Sequence, residues 1–214
     1  MRVVSVNVGR PREVSWNGEM IRTSIWKEPV SGPVPVIGNN LQGDVQSDLR
    51  VHGGPDKAVY AYPVEHYSHW RRELPELSFP SGAFGENLTV EGFDESALNV
   101  GDRFRVGTAE LVVTQPRVPC FKLGIRFGRA DMVQKFARSE RCGFYLSVAR
   151  EGEIAAGDSI EPLGRDERDL SVLALFRIYA RKERDPELLR RAAEHPGVPS
   201  GWREWMQQLI EGEE

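Results

Sequence analysis

The sequence predicts a mainly β fold: a closed or nearly closed β-barrel with a few short helices and a small C-terminal three-helix extension. Three observations carry this. Seven short runs with alternating or continuous apolar character precede about Glu161. Past Pro162 the apolar period changes from that of a strand to that of a helix. A seven-stranded sheet left open would also expose two unpaired hydrogen-bonding edges, which closure removes.

The predicted strands are Val3 to Val8, Ile21 to Ile25, Ala58 to Tyr62, Asn87 to Val90, Arg103 to Val106, Glu110 to Thr114 and Phe144 to Val148. Gly101-Asp102 and Gly157-Asp158 each stand just before an alternating run, where a turn would feed a strand. Between strands, Val64 to Leu74 follows Pro63 and reads as a helix. So does Asp131 to Arg138, in which Met132, Val133 and Phe136 recur at helical spacing. The extension begins with Ser171 to Arg181, carrying Val172, Leu175, Phe176 and Tyr179. Asp185-Pro186-Glu187 then supplies an N-cap with Pro at the first helical position, and Ser200 precedes Trp202, Trp205, Met206, Leu209 and Ile210. The chain therefore divides into residues 1–162 and 163–214.

Composition narrows the function classes. With 214 residues, 40% hydrophobic and 28% charged, the chain has the balance of an ordinary globular protein. No apolar run approaches the roughly 18 to 20 residues needed to span a bilayer, and Met1 to Val8 is too short and polar for a secretory core, so a cytoplasmic protein without a membrane anchor is expected. The net charge of −4 disfavours nucleic acid as a partner. Residues 163–214 carry nine basic against eleven acidic side chains, which argues against a DNA-reading helix-turn-helix. Any phosphate-bearing partner must be held locally. Two cysteines, Cys120 and Cys142, cannot supply a four-thiolate iron–sulfur cluster or zinc ribbon, so redox work would need a bound cofactor or outside electrons. The preponderance of Arg over the five lysines reads mainly as compositional bias.

Three polar segments could carry chemistry. In Asp48-Leu-Arg50-Val-His52-Gly53-Gly54-Pro55-Asp56-Lys57, consecutive glycines let the backbone approach a ligand while Arg50, His52 and Lys57 supply positive charge. A hairpin turn with solvated charges is the competing reading. The His-Gly-Gly piece is not an esterase oxyanion loop, because no Gly-x-Ser-x-Gly elbow occurs. In Ser81 to Leu88, Glu86 could act as a general acid or hydrogen-bond acceptor and Asn87 could donate and accept, although turn hydrogen bonds explain both equally. In Gln115-Pro-Arg117-Val-Pro-Cys120-Phe-Lys122, Cys120 follows a proline-stiffened turn between two cations that suit an anionic sulfur. It is the better nucleophile or metal ligand. Cys142 leads into an apolar strand and reads as a small buried hydrophobe. His66 and His69 share a helix face but lack further ligands nearby. His195 reads as a helix end, and the Trp202–Trp205 pair reads as core.

Taken in order, Asp48 to Lys57, Gly85-Glu86-Asn87-Leu88, Gly101-Asp102 and Gln115 to Gly124 resemble the MOSC domain, named after the C-terminal domain of molybdenum-cofactor sulfurases. The resemblance covers most of the chain to about Glu161. The helical tail is similar to the extension on the bacterial branch associated with reduction of N-hydroxylated purines. It implies a β-barrel that binds molybdopterin-type molybdenum cofactor, with Cys120 as the protein ligand to the metal. The cofactor-binding residues it implies are Arg50, His52, Gly53, Gly54, Lys57, Asn87 and Arg117, with Glu86 or His52 as proton donor. No pyridoxal-phosphate domain is present, so the chain resembles the stand-alone members. The implied activity is molybdenum-dependent reduction of small N-hydroxylated compounds, R–NHOH to R–NH₂ and water. Electrons would come from a separate flavin or ferredoxin-type protein. The alternative is a molybdopterin or sulfur carrier that uses Cys120 without turnover. A homodimer is compatible with either.

Overall fold

The computed structural model describes residues 1–47 and 53–212. Arg50 and His52, assigned above to the cofactor cradle and, for His52, to proton transfer, lie outside the described residues. The main sheet is built from β1 (Arg2–Val8), β4 (Glu28–Pro29), β7 (Val59–Pro63), β8 (Leu88–Glu91), β9 (Arg103–Val106), β10 (Ala109–Pro116), β11 (Phe144–Arg150) and β13 (Ile160–Gly164). Their order is β13-β9-β10-β11-β7-β8-β1-β4, with every pair antiparallel except β7 and β8. That parallel pair is joined by α1 (Glu65–Glu73), which makes the crossover a parallel pair requires. All five residues of β7 are buried, whereas β9 alternates exposed and buried.

The ends of this sheet approach each other. Val3 N–H donates to Asp158 O (2.9 Å), Gly157 N–H to Val3 O (2.8 Å) and Ile160 N–H to Met1 O (2.9 Å). These bonds tie β1 to the entrance of β13, with a single antiparallel bridge between Arg2 and Ser159. The sheet dominance expected from sequence is present. The closing contact is this short bridge and not a ladder along two strands.

Two smaller sheets flank the main one: β5 (Val34–Ile37) between β6 (Asn40–Leu41) and β12 (Gly152–Ile154), and the hairpin of β2 (Arg12–Trp16) with β3 (Glu19–Thr23). The run expected over Ile21 to Ile25 is thus displaced, to β3. It pairs with β2 through Asn17 and Gly18, whose φ values of 51° and 84° are those of a tight primed hairpin turn. Its mostly exposed side chains give it no stripe with which to join the core.

The helices between strands are α1, α2 (Phe121–Phe127) and α3 (Met132–Ser139), and the tail consists of α4 (Val172–Ala180), α5 (Pro186–Glu194) and α6 (Ser200–Glu211). α2 was not expected. Ser171 and Asp185 cap α4 and α5 by accepting from the N–H groups of Ala174 and Leu188. No described helix is long and apolar enough to cross a membrane.

Two apolar cores result. The large one fills the sheet and takes in Trp70, Phe84, Phe136 and Leu111. The small one gathers Val100, Leu170, Leu175, Ile178, Leu189, Val198 and Met206 among the tail helices. α4 serves both, sending Val172 and Phe176 into the first and Leu175 and Ile178 into the second. β13 runs through Pro162 to Gly164, so sheet and tail follow each other with only a short connection.

Candidate cofactor and active site

Cys120 ends the irregular stretch after β10 and occupies the N-cap position of α2, partly exposed. The strand fixes where the stretch starts, and two contacts fix what faces it. Thr114 Oγ1 and Gln115 Nε2 donate to Asp56 O at 2.6 and 3.2 Å, strapping the turn of Pro55–Lys57 onto β10. Lys57 is thereby brought within electrostatic reach of Cys120. Gly53 and Gly54, with φ of 95° and 83°, make the bend before this turn in a conformation that side-chain-bearing residues resist.

A small cleft, open to solvent, is lined in part by Cys120. Among the described residues, four cations, Lys27, Lys57, Arg117 and Lys122, line it against one carboxylate, Asp44. In a chain of net charge −4, such a local excess is what an anionic ligand needs. Lys27 pairs with Asp44, which also accepts from Gly9 N–H (2.7 Å) and Asn87 Nδ2 (3.0 Å). Burial pulls the Lys27 ammonium below its ordinary value and Asp44 opposes the shift. Burial does the same at Lys57, opposed by Asp56 and Cys120. Asn87 accepts from Tyr60 N–H (3.1 Å), so it fastens β7 to the cleft floor as well as lining it.

Arg117 is the least accommodated group here. It is 6% exposed, and its guanidinium lies 5.1 Å from the Tyr60 ring and 5.6 Å from that of Phe136. Its Nη1 is buried with no hydrogen-bond partner among the described residues. A buried guanidinium N–H left unpaired is costly, and a ligand oxygen would relieve that cost. Burial pushes the Tyr60 and Tyr145 phenols up, so both remain neutral at ordinary pH.

A second depression adjoins the first. Lys57, Arg117, Cys120 and Tyr145 line both, and the second adds Gln115, Phe121, Tyr179, Gly201, Trp202 and Trp205. Cys120 thus belongs both to a cationic cleft and to a groove walled in part by the tail helices.

Not every residue singled out from sequence is brought here. Gly53, Lys57, Asn87, Arg117 and Cys120 line the cleft, and Gly54 stands behind them in the turn. Glu86 does not line it. Its carboxylate is fully buried and accepts from Gly82 N–H (2.8 Å), Phe84 N–H (3.0 Å), Thr89 Oγ1 (3.0 Å) and the Tyr67 hydroxyl. It organises the loop that presents Asn87. Cys142 is buried, as expected. Sequence reasoning missed Lys27, Asp44, Tyr60 and Tyr145. No local signal marked them: Lys27, Lys57 and Lys122 are scattered in sequence and meet only in the folded cleft.

A MOSC domain model matches residues 48–161, and a YiiM-like three-α-helix domain model matches residues 170–213. The chain belongs to the MOSC family. YflK of Bacillus subtilis strain 168 is 39% identical over 201 residues, covering 94% of this chain and 90% of YflK. The crystal structure of YiiM from Geobacillus stearothermophilus superposes with a TM-score of 0.81 at 32% identity, covering 98% of both chains. A protein of Gibberella moniliformis strain M3125 named "Reductase" is 32% identical over 197 residues, which make up 91% of this chain and 35% of that longer protein. The MOSC match contains every residue of the cationic turn and Cys120, while the three-helix match contains Tyr179, Trp202 and Trp205 of the groove. MOSC domains are associated with molybdenum-cofactor binding in general.

Proposed function

We propose that this MOSC protein is a reductase of N-hydroxylated compounds, among them purine bases or nucleosides, that works with a molybdopterin-type molybdenum cofactor. The observation that carries the reading is the placement of Cys120, a single accessible thiol lining both a cationic cleft and an aromatic groove. The residues fit the group. Among the described residues no three His, Cys, Asp or Glu side chains come together, so the group that fits them is a metal that brings ligands of its own, to which the Cys120 thiolate would be added. Lys57, Lys27, Lys122 and the free N–H of Arg117 answer the anionic oxygens of a phosphate-bearing cofactor, with Gly53 and Gly54 admitting it closely.

When bound, the cofactor supplies two-electron reduction of the N–O bond: R–NHOH + 2 e⁻ + 2 H⁺ → R–NH₂ + H₂O. The chain's own side chains bind, orient and deliver protons. Lys27, held by Asp44, lines the cleft and is a described proton-bearing group there, whereas Glu86 is sealed by four donors. The two cysteines support an external electron donor of flavin or ferredoxin type. The name of the fungal relative supports reductase chemistry in this family.

The test is expression in a host that makes molybdenum cofactor, followed by metal analysis and turnover of an N-hydroxylated purine with reduced methyl viologen. Cys120→Ala is expected to reduce both bound molybdenum and turnover to background. Retention of both in that variant would overturn the assignment, and bound molybdenum without repeated turnover in the parent protein would make it a carrier.

A further inference from the structure

Lys27 and Asp44 form an ion pair within the cleft wall, with side-chain exposures of 10% and 1%. Lys27 stands between β3 and β4, and its main chain is clamped there. A Cβ at Gly9 would come within 2.7 Å of Trp26 O and 3.1 Å of Lys27 Cγ, and one at Gly82 would collide with Lys27 O. Glycine at both positions lets two remote pieces of chain close on this one lysine. Asp44 completes the grip: its Oδ1 accepts from Gly9 N–H, and its Oδ2 accepts from both Lys27 Nζ and Asn87 Nδ2. A carboxylate in a cation-lined cleft repels an anionic ligand, so its presence there calls for a compensating role.

We propose that Asp44 is a positioning residue: its carboxylate holds the Lys27 ammonium as a charged donor at the cleft wall, and an anionic ligand gains more from that lysine than it loses to the carboxylate. This rests on the reductase reading for the identity of the anion, the cofactor's phosphate, but not for anion binding itself. Burial drives Lys27 toward the neutral amine and Arg117 pushes the same way. Asp44 is the main influence opposing them, with Glu86 behind it. The role therefore has a sign. If Asp44 acted only through its own charge, Asp44→Asn would tighten anion binding; acting through Lys27, the substitution weakens it, because the buried amine sheds its proton.

Sulfate is the probe, since its charge does not change between about pH 6 and about pH 8.5, whereas a phosphate titrates near the lower end of that range. Calorimetric titration compares the parent, Asp44→Asn, Lys27→Gln and the double variant at both pH values. At the higher pH, Asp44→Asn is expected to bind sulfate roughly tenfold more weakly than the parent, the loss of one charge-assisted contact. The deficit should shrink at the lower pH, where Lys27 regains its proton. Lys27→Gln should be weakened at both, and adding Asp44→Asn to it should bring no further loss, because the carboxylate then has no lysine to hold. Melting temperatures check folding. Asp44→Glu, which keeps the charge but displaces it by a methylene, serves if Asp44→Asn does not fold, and it too should bind sulfate more weakly. Parent-like or tighter sulfate binding by the folded Asp44 variant would overturn the proposal. So would a loss that is the same at both pH values and persists beside Lys27→Gln, which would route the effect through Gly9 or Asn87 instead. Sulfate binding that depends on Asp44 in a protein that takes up no molybdenum would support the positioning role and refute the reductase reading. Molybdenum loading by a parent protein that binds no sulfate would do the reverse.

Discussion

At the scale of single residues, Glu86 shows how a carboxylate beside a site can serve it without touching the reaction. Four donors converge on it, and burial raises its pKa against their pull. Glu86→Gln would replace an acceptor oxygen by an NH₂ facing donors, leaving at least one unpaired. The expected cost is about 1–3 kcal/mol of stability, measured by urea unfolding. An unchanged midpoint would remove Glu86 from its organising role. The sequence placed Glu86 beside Asn87 in a polar turn but could not say which of the two faces inward, because both suit a turn. Cys120 was legible because cations and prolines surround it locally. Lys27 was not, because its partner Asp44 and its cleft neighbours Arg117 and Cys120 are remote in sequence and only the folded sheet unites them.

At the scale of elements, His195 tests how the tail is held. It ends α5, accepts from Gly197 N–H at Nδ1 (3.0 Å) and faces Asp166 through Nε2 (3.3 Å). An acceptor Nδ1 requires the neutral ring with its proton on Nε2, and burial lowers the pKa below the ordinary 6.5 even though Asp166 raises it. Unfolded chain thus binds more protons than folded chain just below pH 6.5, so stability falls as pH drops through that window. Urea midpoints between pH 7.5 and 5.5 should decline in the parent and decline less in His195→Asn. Equal slopes would discount the ring, with His69, also lowered by burial, accounting for the rest. Most strands and all three tail helices were readable as elements because alternation, caps and helical periodicity are local signals. α2 was hidden by Gly124 and by the aromatic ends of a seven-residue segment, and the β2–β3 turn by a short Asn17-Gly18 pair outside any apolar stripe.

At the scale of the whole molecule, the helical tail is no detachable appendage. α4 feeds both cores, Val172 N–H donates to Leu98 O (2.8 Å), and Val100 N–H donates to Leu170 O (2.9 Å). A chain ending at Gly164 would expose the side of the large core that Val172 and Phe176 cover. It is expected to lose soluble, near-ultraviolet-dichroic protein; a well-folded truncated product would show the sheet to be autonomous. The change of period near Pro162 marks the switch from sheet to helices, yet no local pattern could reveal that one helix is shared between two interiors.

Because Lys57, Arg117, Cys120 and Tyr145 line both depressions, the two share one party wall, and whatever presses on that wall from one depression reshapes the other.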